Sequence, residues 1–170
     1  CAENILHALK AGDGYLFLIY LKQLPETEKT WVLLEHGYRD VKNKKGEVLY
    51  RIKECVDDFS YTVTDKNGNR RTFKLREKRV VTFNPGLAKK QVYEINRQIE
   101  KAKALKASQA KKSEYGDCAK YVTFITADKK GNETNGKVKV IMNEAAIKKN
   151  LELAGYNLLV TSEAGMSDSE

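Results

Sequence analysis

Apolar residues recur in three different rhythms along this chain: helical, continuous and alternating. Within CAENILHALKAGDG, Ile5, Leu6 and Leu9 fall on one helical face, and Gly12 is placed to end that helix. The next run, GYLFLIYLK from Gly14 to Lys22, is apolar at Leu16, Phe17, Leu18, Ile19, Tyr20 and Leu21. With no polar face left, it predicts a strand buried on both sides, in the middle of an α/β sheet. GYNLLVTS, from Gly155 to Ser162, has the same character and also follows a helical pattern. That pattern is NEAAIKKNLELAG, with Asn143 as its cap, Ile147 and Leu151 facing inward and Gly155 at its end. Both ends of the chain therefore read as α/β.

The middle alternates instead. YRDVKNKKGEVLYRIKE holds two strand-like runs around Asn43 to Gly46, and FSYTVTDKNGNRRTFKLRE two more around Asp65 to Asn69, with Asn67-Gly68 as the turn signal. KYVTFITADKKGNETNGKVKVIM predicts a third hairpin around Lys129 to Gly136. Tyr61 and Val63 against Thr62 and Thr64, and Val138 and Val140 against Lys139, give each strand one dry and one wet face. WVLLE and KRVVTF add further strands. Between the second and third hairpins, Ala88, Val92, Ile95, Ile99 and Ala102 step by four and three, a helical stripe over about 87–107. The three hairpins share turn chemistry and nothing that makes a repeat. At the C-terminus Ser167 and Glu170 have capping-box spacing, with Met166 in the staple position, the signal that opens a helix.

Charge narrows the function classes. The 170 residues carry 31 Lys and Arg against 23 Asp and Glu, a net charge of +8. That favours an anionic partner, nucleic acid before membrane. No apolar run approaches the roughly 20 residues of a membrane span. Cys1, Cys55 and Cys118 are odd in number and far apart, with no CxxC, so neither a zinc knuckle nor a disulfide framework is indicated and free thiols in a reducing cytoplasm fit best. His7 and His36 are the only histidines, one beside the apolar stripe of the first helix and one in a turn, and no nucleophile–histidine pair can be built from them. Asp57 and Asp58 are adjacent, so on a strand they point to opposite faces, and CVDDFS reads as a bend or bulge.

The order helix, buried strand, long β-rich segment, strand, helix start resembles a known family. CAENILHALKAGDGYLF, LPETEKTWVL, RVVTFNP with its following helix, and AGYNLLVTSEAGMSDSE look like the DDE transposases of bacterial insertion sequences, in the branch whose RNase H-like core is interrupted by a large β-rich insertion. The stretch LIYLKQ departs from the more polar strand end of that family. The resemblance implies an α+β chain: core helix and strand at 1–22, a β-rich insertion at 23–153 with its helix near 87–107, and a return to the core at 154–170. It also implies a segment lying between the second catalytic Asp and the catalytic Glu, holding none of the three metal-binding carboxylates. Glu163 and Asp168 match no catalytic position. The complete family enzyme uses Mg2+ or Mn2+ for phosphoryl transfer. This chain would have no metal site and no activity alone. Its implied partners are transposon-end and target DNA, the rest of the transposase core, and a second copy when full length, in a bacterial cytoplasm at the nucleoid.

Candidate DNA contacts follow from both lines of reasoning. Trp31, the only tryptophan, is either a platform for an extruded base or a core residue among Val32, Leu33 and Leu34. Arg70, Arg71, Lys74, Arg76, Lys78 and Arg79 are the densest basic cluster, and Lys74, Arg76 and Lys78 share one strand face. They form either a ladder of phosphate contacts or a solvated hairpin face. The lysines of the 87–107 helix read as solvated. A free-standing, non-enzymatic nucleic-acid-binding module of α+β type is the alternative to a transposase segment.

Overall fold

The computed structural model describes residues 2–125, 138–165 and 167. In chain order the elements are α1 (Ala2–Ala11), β1 (Leu16–Ile19), α2 (Glu26–Leu33), β2 (Arg39–Lys42), β3 (Val48–Thr64), β4 (Arg70–Phe83), α3 (Pro85–Ala107), β5 (Val122–Ile125), β6 (Lys139–Met142), α4 (Glu144–Glu152) and β7 (Tyr156–Thr161). The fold is α+β, with an antiparallel sheet of five strands and one long helix. The chain divides into two compact units, residues 1–85 with 155–170, and residues 86–154.

The first unit is built on the sheet, ordered β1-β7-β4-β3-β2 and antiparallel throughout. Two local turns set its register. Asn43 to Glu47 and Asp65 to Asn69 are five-residue loops of one design. In each, the side chain of the first residue accepts backbone N–H groups further along the loop. In each, the fourth residue is a glycine at positive φ, +82° at Gly46 and +83° at Gly68, a region that costs any residue with a Cβ. The shared turn chemistry read from the sequence holds for these two loops. Strands β2, β3 and β4 thus form a meander, and the single 17-residue strand β3 serves both hairpins. KRVVTF is the second half of β4.

Helices cover one face of this sheet. Register places Lys53, Arg79, Val81, Leu158, Val160 and Phe17 on that face. Val81, Leu158 and Val160 are buried there, as are Ile5 of α1 and Val32 of α2. On the opposite face Leu16 and Leu18 are 61% and 62% exposed.

Several expectations change. Gly14–Lys22 is not a central strand: β1 is four residues at the sheet edge, paired only with β7, and a 3-10 turn at Leu21–Gln23 ends it. The run is apolar on both sides although only one of its faces packs against the core, a distinction that periodicity cannot make. The two end strands β1 and β7 are neighbours and run antiparallel. WVLLE is not a strand. Pro25 and the acids Glu26 and Glu28 open a helix there, and Thr30 Oγ1 donates to the Glu26 carbonyl within it. Asp57 and Asp58 form no bulge, because β3 runs through them in unbroken register opposite Glu77 and Arg76. The register shift lies in β2, between Val41 and Lys42. Residues 23–153 are not a separate body either. The meander shares the sheet of β1 and β7, and the second unit begins only at α3.

In that second unit, α3 runs from Pro85 to Ala107, close to the helix read at 87–107. Ile99 and Ala102 pack with Tyr115, Cys118, Tyr121 and Val122 into its core. The β5–β6 pair matches the third hairpin's strands, whereas its turn at Lys129 to Gly136 lies outside the described residues. Helix α4 is capped as read, with Asn143 Oδ1 accepting from the Ala146 N–H at 3.0 Å. Of the C-terminal capping box, Met166 and Glu170 lie outside the described residues.

Candidate nucleic-acid interface

The basic cluster lies on β4, and the sheet's architecture divides it in two. From Lys78 onward β4 pairs with both β3 and β7; before Lys78 it pairs with β3 alone. Residues 57–64 and 70–77 therefore form a two-stranded ribbon that runs beyond the rest of the sheet for about 25 Å, at roughly 3.4 Å per residue.

One ribbon face is polar. Arg70, Thr72, Lys74 and Arg76 lie there opposite Thr64, Thr62, Ser60 and Asp58, and all eight are exposed. Thr62 and Thr72 hydroxyls meet at 3.0 Å, and Arg76 lies 4.0 Å from Asp58. Such an exposed, screened pair contributes little to stability and leaves the guanidinium available. The other face carries Arg71, exposed, then Phe73, Leu75, Phe59, Tyr61 and Val63, all half-buried, with the Tyr61 and Phe73 rings stacked at 5.9 Å.

Nearer the sheet the same strand turns inward. Lys78 is 7% exposed and its Nζ lies 2.7 Å from Glu54. Arg79 is 5% exposed, 2.5 Å from Glu28 of α2 and 3.7 Å from Glu77, with its guanidinium 3.4 Å above the Phe59 ring. Glu77 is fully buried and accepts from the Tyr15 hydroxyl and, at 2.7 Å, the Tyr61 hydroxyl. Burial first, and then the hydrogen bond to Glu77, push both tyrosine pKa values up, so both stay protonated donors. Arg79, Glu77, Glu28, Tyr15 and Tyr61 are a buried polar cluster that joins α2 and the residue before β1 to the sheet. Lys78 and Arg79 are consequently structural cations, and the ladder Lys74, Arg76, Lys78 loses its third rung.

Trp31 lies on α2, half-buried, with its ring 5.0 Å from the ammonium of Lys53. Lys53 is itself buried. Its Nζ donates to the carbonyls of Trp31 and, at 2.7 Å, Leu34, and lies 4.4 Å from the Tyr38 ring centroid. The ammonium thus caps the C-terminal end of α2, where carbonyls lack helical partners. Burial lowers the lysine's pKa. Trp31 is part of this cage rather than a free stacking surface.

Asp57 and Asp58 face opposite sides of β3. Among the described residues no three His, Cys, Asp or Glu side chains converge. Among the described residues no helix is long and apolar enough to cross a membrane.

The Arg76–Asp58 pairing follows from the five-residue loop Asp65 to Asn69, which sets Thr64 opposite Arg70; a two-residue turn at Asn67-Gly68 would instead set Asp58 opposite Glu77. Glu28, the partner of Arg79, is not legible in the sequence, for it lies 51 residues away on a separate helix. The fold and the ribbon thus define an α+β protein with a projecting basic β-ribbon. Compared with known proteins, the chain matches no protein-family model, no curated protein and no solved structure.

Proposed function

We propose that this chain is the DNA-holding, β-rich part of a DDE-type transposase of the insertion-sequence kind, with the ribbon as its contact to the transposon end. The observation that carries the reading is the ribbon's exposed polar face, with Arg70, Lys74 and Arg76 at alternate positions of one strand. A two-stranded ribbon fits the major groove of B-DNA, about 12 Å wide, and a basic row along it sets phosphate contacts. β1 and β7 are neighbours, Leu16 opposite Thr161, in one sheet with β2, β3 and β4, so the transposase part of the reading rests on the sequence resemblance and not on a separately folded insertion. In this reading the protein acts at the nucleoid of a bacterial cytoplasm, with the rest of the transposase core and, in the full-length enzyme, a second copy. Metal chemistry with Mg2+ or Mn2+ belongs to carboxylates other than those described.

Fluorescence anisotropy on a labelled duplex across a salt series tests the ribbon. Binding should fall with salt, and R70E/K74E/R76E should remove it; binding that is flat with salt, or unaltered by the triple change, rejects the assignment. A free-standing nucleic-acid-binding module is the second reading, favoured by the same basic face. The reading frame flanking the segment separates the two: an upstream Asp at a strand end and a downstream helix carrying Tyr, Arg and Glu belong to the transposase alone.

A further inference from the structure

The second unit holds a groove of about 670 Å³ at the C-terminal end of α3, within the size range of small-ligand sites. Its floor is apolar: Phe124, Val138, Val140 and Ala110. Phe124 is braced edge-on by the fully buried Tyr115, ring centroids 5.1 Å apart. Its rim is cationic: Lys106, Lys111, Lys112 and Lys139. All four are exposed, and among the described residues none makes an ion pair. Glu114, the acid in the same turn, directs its carboxylate to the Lys111 backbone N–H at 2.5 Å. Lys112 lies 5.5 Å over the Phe124 ring.

A backbone feature points to the same place. Gln109, which lines the groove, has φ +56°, the one positive φ outside glycine among the described residues. It is the residue that ends α3, with the Ala110 N–H returning to the Leu105 carbonyl at 3.0 Å and the Gln109 N–H to Lys106 at 3.2 Å. Glycine is the favoured residue at this left-handed position, and a side chain there is strained. This cap closes α3 and sets Gln109 among the residues that line the groove.

We infer that this groove takes a nucleotide of single-stranded DNA, the base over the Phe124–Val140 floor, its phosphates among the four lysines and its polar edge on the Gln109 carboxamide. An apolar floor and an exposed cationic rim together match a base with its phosphate, since every base has a π-face and every linkage a charge. The inference rests on the nucleic-acid reading of the chain but on different residues from the ribbon, so the two can fail separately.

The test uses the whole chain, a fluorescein-labelled oligothymidylate, the same oligonucleotide carrying one 2-aminopurine, and a labelled duplex. K106E/K111E/K112E should weaken single-strand binding at least tenfold. It should flatten the salt slope by about 2, at roughly −0.7 per single-strand phosphate contact, with the far-UV spectrum unchanged. R70E/K74E/R76E should leave single-strand binding within twofold. Q109G should raise the melting temperature yet lower single-strand affinity and reduce the 2-aminopurine quench, a split that a purely structural glutamine would not produce. Equal loss of single-strand binding from both triple variants overturns the site. So does an acidic peptide of equal charge competing as well as the oligonucleotide. Duplex binding with no single-strand binding rejects the groove and keeps the ribbon; no binding of either rejects both.

Discussion

Arg79 shows how little a residue's type says about its task. As a basic residue in a basic cluster it is a natural DNA contact, yet it is enclosed by Glu28, Glu77 and the Phe59 ring. Removing it strands a buried carboxylate, Glu77, with tyrosine donors alone, and breaking a buried pair of this kind costs about 3–5 kcal/mol. Arg79→Ala should lower unfolding free energy by that order in urea, followed through Trp31 fluorescence, and the surviving folded protein should keep the duplex salt slope of the parent. A loss below about 1 kcal/mol together with a flatter slope would return Arg79 to the interface. Gln109 is the opposite case. At φ +56° a glycine relieves a left-handed penalty of about 1–2 kcal/mol, so Gln109→Gly should stabilise α3 by up to that amount in thermal unfolding followed at 222 nm.

At the scale of elements, the β3–β4 ribbon depends on its turn. Asp65 accepts from the Asn69 N–H, the Asn69 side-chain amide and the Asn67 N–H, and these bonds hold its carboxyl below the ordinary aspartate value. Its folded pKa is thus lower than its unfolded one. The turn's stability is fully present above the unfolded value of about 3.9 and is lost as pH falls through the folded pKa. Amide exchange or chemical shifts at Asn67 and Asn69 should report the turn loosening over that acidic window, and Asp65→Asn, which keeps an acceptor without a titration, should remove the pH dependence. An unaltered acid profile in that variant would place the effect elsewhere. The ribbon's function scales with its exposed cations. Each phosphate contact removed from the Arg70, Lys74 and Arg76 row should reduce the log–log salt slope for duplex DNA by about 0.9. Lys78→Met should leave that slope alone, because its ammonium is committed to Glu54.

The whole molecule has two cores that answer to different probes. Trp31, the single tryptophan, lies in the unit of residues 1–85 with 155–170, whereas Tyr115 and Tyr121 lie fully buried in residues 86–154. Tyr115→Ala should destabilise the second unit by about 3–5 kcal/mol, the range of large aromatic deletions. It should shift the 222 nm transition carried by α3 while leaving the Trp31 fluorescence transition within a degree or two. Coincident shifts by both probes would mean that the two units unfold as one. Basic surface is divided in the same way, between the ribbon of one unit and the lysine-rimmed groove of the other.

What the sequence determined is what a few neighbouring residues can encode. The loops at Asn43 to Glu47 and Asp65 to Asn69 are legible because an Asx side chain and a glycine four positions into the turn satisfy the backbone without outside help. The stripe through Ile95, Ile99 and Ala102 fixes α3, and Asn143 fixes the start of α4, for the same local reason. The α+β class follows from those elements. What only the tertiary structure decided is which face of an element meets a partner. Gly14–Lys22 is apolar on every side, so its sequence cannot tell a central strand from an edge; the pairing with β7 alone made it an edge. WVLLE has strand-forming residues, but Lys53, some 20 residues away, supplies the cation that closes α2 at its C-terminal end. Lys74 and Lys78 share one strand face by their spacing, yet one is solvated on a free ribbon and the other is paired to Glu54. Burial of a charge depends on partners brought from distant segments, and neither composition nor periodicity carries that information.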